Sequence, residues 1–511
     1  MASGWQHWRR IHEPVERWFT LRPDADALVD FDGRRLCWSE FRAAIDAAEH
    51  QLIAALVRPG DRVMIVAENC VAAVAALYAC SRLDAWAVMI NARLALPEIA
   101  RIRAHCQPRL LLFTTAASQD AGHHADALAA SAPVEGAFGT WRMLHHGDST
   151  SEPVAADATQ VAAVIYTSGT TGEPKGVMLT HRGMLFVAFV SGHLRGLTQT
   201  DHVYGVLPIS HVFGLSSTGN GTLTAGGALH CVPRFDPARL AAALRDGITV
   251  MQGVPAMFAK LLEYLDGRGE PLLAPRLRYM SSGGAPLDLD WKRRIEGRFG
   301  IPLNNGYGLT ETSPTIAQTV PSDPRQDDSV GPLLPGIVLR IVDSESQPVR
   351  EGEIGELLLA GPNMMKGYYR NPEATAAVLD ADGFLRTGDL GRIDRKGNLF
   401  IVGRAKEMII RSGFNVYPAE IETVLNAHAD VVQCAVIGRR VQGDEEIIAF
   451  VEITSGSGLD AGALKEFTGH KLAAYKRPQH IFIVAQMPAA ATGKIQKHAL
   501  LPLAEKLIAR S

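Results

Sequence analysis

The chain has 511 residues, 47% of them hydrophobic and 21% charged, with Lys+Arg 51 against Asp+Glu 54 and a formal charge of −3. The apolar fraction is ample for large buried cores, which excludes a disordered or fibrous chain, and the length allows two to four domains. Near-balanced charge argues against nucleic acid or an anionic membrane as the main partner, because either would demand a basic excess.

Strand–helix–strand alternation begins early. Arg62 to Val66 reads as a buried strand, Val71 to Leu83 as a helix and Trp86 to Ile90 as the next strand. A helix near Pro97 to His105 and a strand at Leu110 to Phe113 follow. Such alternation predicts parallel sheets with helices on their faces. The same grammar continues from Val161 to about Leu303. From about Val338 to Ile401, runs such as Glu356–Leu359 and Asn398–Ile401 lie between Gly, Asn and Asp turns, which predicts antiparallel sheet or a small barrel. The last stretch reads as a small α+β unit. It has a helix at Pro418–Ala427, strands at Val431–Ile437 and Ile447–Ile453, a helix at Ala461–Leu472 and a strand at Ile481–Val484. The fold class is therefore α/β: a large N-terminal domain, 1–404, of stacked sheets with a barrel-like part, and a smaller α+β domain, 405–511.

The six cysteines (Cys37, Cys70, Cys80, Cys106, Cys231 and Cys434) are scattered, and none forms a C-x-x-C pair. That disfavours a disulfide framework or zinc knuckle and suits a reducing compartment. The first residues hold no apolar h-region, so no signal peptide is expected. The longest apolar run, Val71 to Cys80, falls far short of the ~20 residues that span a bilayer. A cytoplasmic enzyme is the expectation.

The buried run Val161–Ile165 delivers Tyr166-Thr-Ser-Gly-Thr-Thr-Gly-Glu-Pro-Lys175-Gly176. Glycines let backbone N–H groups turn inward, and the hydroxyls and the lysine add donors, which is what a polyphosphate needs. It is not a Walker A loop: Gly-Lys-Ser/Thr is absent, and Pro174 stands where free backbone donors are required. As ordered text it resembles the signature of the adenylate-forming superfamily, which contains acyl- and aryl-CoA synthetases, luciferases and peptide-synthetase adenylation domains. The resemblance recurs at Leu207-Pro-Ile-Ser-His211, Ser282-Gly-Gly-Ala-Pro286, Tyr307-Gly-Leu-Thr-Glu311, Thr387-Gly-Asp389, Gly403-Arg-Ala-Lys406 and Thr492-Gly-Lys-Ile495. On these motifs the chain is identified as a member, covering residues ~20–505 in the expected order.

The resemblance implies a two-step reaction. A carboxylate attacks the α-phosphate of ATP to give acyl-adenylate and pyrophosphate, and coenzyme A then takes the acyl group and releases AMP. It places Thr167, Ser168, Gly169, Thr170, Thr171, Gly172 and Lys175 on the phosphates. Glu311 becomes the Mg²⁺ ligand and Thr310 the α-phosphate contact. Tyr307 and Gly308, with Gly284, Ala285 and Pro286 on the other face, hold adenine, while Asp389 and Arg404 hold the ribose. Lys494 stabilises the first transition state; taken alone, a lysine so near the end of the chain would be a solvated surface group. His211 sits at the carboxylate end of the acyl pocket, whose walls are Val212, Phe213, Gly214, Ser282, Gly283 and Gly306. Lys406 is the hinge, and Gly413, Tyr475 and Arg477 serve CoA.

These walls are mostly small or apolar, which fits a fatty or aromatic monocarboxylate. Lys260 stands where malonyl-CoA synthetases carry an arginine, which keeps a dicarboxylate as an alternative, although lysine cannot copy a bidentate clamp. Val212-Phe-Gly-Leu215 after His211 lacks the carboxylate an α-amino acid would require. A luciferase-like or carrier-protein acyl-adenylating enzyme shares the same motifs, as does a non-catalytic acyl-adenylate-binding protein, although here the catalytic set is complete. The expected cofactors are ATP, Mg²⁺ and coenzyme A. The expected partners are those small molecules and the acid, without nucleic acid or a membrane segment, and with a homodimer allowed. Ligase chemistry of this type belongs with fatty-acid and lipid metabolism.

Overall fold

Arg62–Ala67, Trp86–Asn91 and Leu110–Phe113 pair in parallel, and every residue of Arg62–Ala67 is buried. Cover on both faces explains why these runs show no polar alternation. The computed structural model describes residues 4–147, 149–168, 174–269, 271–285, 287–411, 414–441, 444–454, 456–489 and 495–509. The three strands form the middle of a seven-stranded sheet. Gly139–His145 and Val134–Gly136 flank it on one side, and Val161–Ser168 and Pro174–Thr180 on the other.

A second sheet of eight strands runs Thr315–Gln318, Leu303–Gly308, Tyr279–Ser282, Val250–Gly253, His202–Gly205, Ala228–Cys231, Asp26–Val29 and Arg35–Cys37. Its last two members were not foreseen: Leu28 pairs with Leu229, so the start of the chain completes a sheet whose other strands come much later. The helix expected at Val71–Leu83 is Val71–Arg82, and Val71 to Ser81 are all buried. Its alanines let neighbours approach closely, and the Tyr78 hydroxyl donates to Asn220 Oδ1 at 3.1 Å. One core joins Leu28 and Leu229 of the second sheet to Val63 and Ile165 of the first, with this helix among them.

Two stretches wind as π-helix, Val187–Ser191 and Phe213–Asn220. Such segments concentrate at functional sites. The antiparallel region is a four-stranded sheet in the order Val338–Val342, Gly355–Ala360, Leu385–Ile393, Leu399–Arg404. Among the described residues this sheet is open, which corrects the barrel alternative: its two outer strands do not pair with each other.

The remaining unit matches its expected elements with small shifts. Its helices are Pro418–Asn426, Ala461–Lys471 and Leu500–Ile508. Strands Val431–Val441 and Asp444–Ile453 form a long hairpin, and His480–Val484 lies parallel to the second of them. The charged ends of the hairpin, such as Arg439 opposite Glu446, hid its length from a reading based on apolar runs. Among the described residues no helix is long and apolar enough to cross a membrane.

Candidate active site

The glycine-rich segment leaves the first sheet as a hairpin. Thr167 stands opposite Lys175, and Ser168 opposite Pro174. Gly169, Thr170, Thr171 and Gly172 lie outside the described residues, as do Pro286, Gly413 and Lys494. Lys175 projects its ammonium over the ring of Tyr368, 5.0 Å from the centroid. The Tyr368 hydroxyl donates to Glu311 Oε1 at 2.8 Å. Glu311 sits in the 3₁₀ turn Thr310–Thr312, and its carbonyl accepts from the Met365 N–H at 2.8 Å. Tyr368 thus touches both the expected phosphate lysine and the expected metal ligand, and the sequence reading missed it. Burial, then the Glu311 charge, pushes the Tyr368 phenol well above its ordinary range, so it stays a donor.

A second cluster forms at the end of the antiparallel sheet. Asp389 and Arg404 are cross-strand partners, with Arg404 Nε 3.0 Å from Asp389 Oδ1. The Tyr307 hydroxyl donates to Asp389 Oδ2 at 2.5 Å, and the Asp389 N–H donates to Thr387 Oγ1 at 3.0 Å. Asp389 is 4% exposed, so this network holds a carboxylate that would otherwise be costly to bury. Lys406 follows in the 3₁₀ turn Ala405–Glu407. Partial desolvation first, then repulsion from Arg404 and, more weakly, Lys175, lowers its pKa. Lys175, Arg404 and Lys406 are thus within electrostatic reach of one another, with Asp389 and Glu407 beside them.

His211 is positioned by a residue far away in sequence. Asn69 Nδ2 donates to the carbonyls of Gly205 (2.8 Å) and Leu207 (2.9 Å), while its Oδ1 accepts from the Ile209 N–H at 2.8 Å. This pins the segment that carries His211, whose Nδ1 accepts from the Phe213 N–H at 3.2 Å. Gly214 is obligatory, because a Cβ there would lie 2.2 Å from the Pro208 oxygen. The Phe213 ring lies over Gly283, where a Cβ would meet it at 3.0 Å. Gly284 takes a left-handed φ of +77° beside Ala285. Gly306 pairs with Gln318, and the room at its Cβ position is ordinary, with Ala317 O at 3.4 Å. Ser282 is buried at the end of its strand.

The expected CoA residues are less free. Tyr475 stacks on Phe414 at 4.5 Å, and the Nε of Arg477 donates to the Leu472 carbonyl at 2.9 Å. Arg411 in turn donates to the carbonyls of Tyr475 and Arg477. Lys260 is exposed on the helix Pro255–Arg268. Three positions after Lys494 in the sequence, Lys497 bridges Glu407 (3.1 Å) and Glu422 (2.8 Å), and the Gln496 N–H donates to Pro488 O at 2.8 Å.

A strand-delivered hydroxyl–glycine loop, a lone carboxylate beside a lysine and a buried Asp–Arg pair together define an adenylate-forming enzyme. The description "AMP-binding enzyme" matches residues 15–369 and "AMP-binding enzyme C-terminal domain" matches 420–494. The chain belongs to this family, among its acyl-CoA synthetases: it uses ATP, activates a carboxylic acid as the acyl-adenylate and forms the CoA thioester. It is 33% identical to an indoleacetate–CoA ligase of Aromatoleum aromaticum over 95% of this chain and 96% of that one. It is likewise 33% identical to a feruloyl-CoA synthase of an Amycolatopsis species, with the same coverage. The structure of ATP-bound MatB from Rhodopseudomonas palustris superposes with a TM-score of 0.84 at 30% identity, covering 96% of this chain and 98% of that one.

Proposed function

We propose that this chain is an aryl-CoA synthetase, acting on an aromatic monocarboxylate with Mg²⁺ and CoA. The observation that carries the proposal is the convergence of Lys175, Glu311 and Tyr368 on one side with Tyr307, Asp389, Arg404 and Lys406 on the other. The aromatic choice over a fatty acid rests on the acids of the two relatives. Glu311 fits a Mg²⁺ site: it is half-buried, one oxygen is oriented by Tyr368, and it pairs with no cation among the described residues. No group of three or more His, Cys, Asp or Glu that could hold a metal occurs among those residues. That suits Mg²⁺, which takes one or two carboxylates and completes its shell with phosphates and water. When bound, the ion supplies positive charge to the phosphate oxygens.

The chain's own groups do the rest. Thr167 and Lys175, with the hydroxyl loop, orient the β- and γ-phosphates, and Thr310 contacts the α-phosphate. Asp389 accepts from the ribose hydroxyls while Arg404 holds its orientation, and Tyr307 closes the adenine site. Lys494 stands between two anions in the first step, and Arg477 with the Phe414–Tyr475 stack serves the CoA nucleotide in the second. Residues 405–511 form the mobile domain, hinged at Lys406. The test is pyrophosphate release with ATP, Mg²⁺ and a panel of aryl, fatty, dicarboxylic and α-amino acids, with and without CoA. Aryl acids should lead and CoA thioester should accumulate; a panel led by malonate or an α-amino acid would end the reading.

A further inference from the structure

Between the strand Gly355–Ala360 and the helix Pro372–Ala376, residues 361–369 run across both elements that carry the phosphate-side groups. On one side, the Met365 N–H donates to Glu311 O at 2.8 Å. On the other, the Lys366 N–H donates to Met178 O at 2.9 Å, the Met178 N–H donates to Gly367 O at 3.0 Å and the Tyr369 N–H donates to Gly176 O at 2.7 Å. Tyr368 pairs with Val177 in an antiparallel bridge. Gly176, Val177 and Met178 follow Lys175 on its strand, and Glu311 lies in the turn Thr310–Thr312. One short stretch of chain therefore holds the strand of Lys175 and the turn of Glu311 together.

Backbone bonds of this kind survive most substitutions, but the bonds of Asn363 do not. Asn363 is 0% exposed. Its Nδ2 spends both protons just beyond Glu311, on Thr312 O at 2.7 Å and Thr315 O at 2.9 Å. In return the Ser313 hydroxyl donates to Asn363 O at 2.9 Å. Ser313 takes a left-handed φ of +63°, which a residue other than glycine keeps only where its surroundings enforce it. Gly183 makes room for this junction: a Cβ there would lie 2.6 Å from Ser313 Oγ and 3.3 Å from Asn363 O. In sequence, Gly361-Pro-Asn363 reads as an ordinary turn.

We propose that Asn363 is a positioning residue for acyl-adenylate formation. It fixes Thr310 and Glu311 at a set reach from Lys175, and acyl transfer to CoA does not need it. This rests on the placement of those three residues on ATP and deepens it. A displacement of about 1 Å in groups that orient a reaction costs on the order of 100-fold. By the second half-reaction the β- and γ-phosphates have left as pyrophosphate, so the spacing between Lys175 and Glu311 no longer bears on the rate.

The test times the two half-reactions apart, with the best acid of the panel. Asn363→Leu keeps the volume and loses the amide, and Ser313→Ala is a gentler cut at the same junction. Pyrophosphate release in single turnovers should fall about 10- to 100-fold in Asn363→Leu and about 3- to 10-fold in Ser313→Ala. Acyl transfer to CoA from supplied acyl-adenylate should keep its wild-type rate in both. Calorimetry without metal adds a second readout: a non-hydrolysable ATP analogue should bind Asn363→Leu about tenfold more weakly, and adenosine as tightly as it binds the wild type. Equal losses in both half-reactions would overturn the proposal, as would an unchanged rate of pyrophosphate release in Asn363→Leu or equal weakening of analogue and adenosine. If Asn363→Leu does not fold, Ser313→Ala decides by the same split between half-reactions. Glu311→Gln tests the assignment beneath: pyrophosphate release at the wild-type rate there would remove the turn from the phosphate site, and the proposal with it.

Discussion

Tyr368 shows how one side chain can serve two charged neighbours of opposite sign. Its hydroxyl holds the Glu311 carboxylate and its ring face holds the Lys175 ammonium. Tyr368→Phe removes the first contact and keeps the second. We expect the variant to bind Mn²⁺, in the presence of a non-hydrolysable ATP analogue, about tenfold more weakly by electron paramagnetic resonance, with metal-free nucleotide binding unchanged. Unaltered Mn²⁺ affinity would remove Tyr368 from the site. The residues proposed to hold phosphate, ribose and adenine were legible because they come as ordered motifs. Tyr368 and Asn69 were not, because each acts through a contact that only the folded chain creates.

Among elements, the buried strands and the alanine-rich helix were readable from composition, since a segment covered on every side has no polar positions. The π-helical turns were invisible, because widening a turn leaves no local signature in Val187–Ser191 or Phe213–Asn220. The segment between His202–Gly205 and the second π-helix depends on Asn69, which lies between strand and helix of the other sheet's first unit. Asn69→Ala deletes three hydrogen bonds and strands the Leu207 carbonyl and the Ile209 N–H, while the Gly205 carbonyl keeps the Val232 N–H, at about 1–3 kcal/mol for each stranded group. The expected result is a lower thermal midpoint, with kcat/KM for the acid reduced more than KM for ATP is raised, because His211 and Phe213 lose their support. An equal effect on both substrates would mean the segment carries no special weight for the acid.

At the scale of the whole molecule, Lys406 lies in the stretch between the two matched regions, 15–369 and 420–494. The 3₁₀ turn Ala405–Glu407 buries none of its residues. Lys406→Pro would fix φ near −65° and remove a backbone donor. If residues 405–511 rotate between half-reactions, as a few boundary residues permit, the variant should keep pyrophosphate release and lose acyl transfer to CoA by orders of magnitude in single turnovers. A wild-type thioester rate would leave the rotation without support. Acid stability is also a property of the whole fold. His230 Nε2 lies 3.1 Å from His202 Nδ1, and burial, then His202 and Arg35, lowers the His230 pKa to about 4. Fully buried His181 is lowered as well. The unfolded chain binds protons near pH 6.5 that the folded chain refuses, so stability is complete above that value and declines as pH falls from 6.5 toward 4. His230 alone should account for about 2 kcal/mol between pH 7 and pH 5. Urea denaturation at both values checks this, and His230→Gln should reduce the difference.

The strand Asp26–Val29 has a consequence for how the protein is made. On the ribosome it emerges early, yet Leu28 must wait for Leu229 before its edge is covered. Until then only Arg35–Cys37 shields it, from the other side. The nascent chain therefore carries an open strand edge through the synthesis of the entire first sheet and the nucleotide hairpin. A fragment cut between the two sheets inherits that open edge for good, so we expect the two halves of the large domain to aggregate when expressed apart, even though their motifs follow one another in tidy order along the chain.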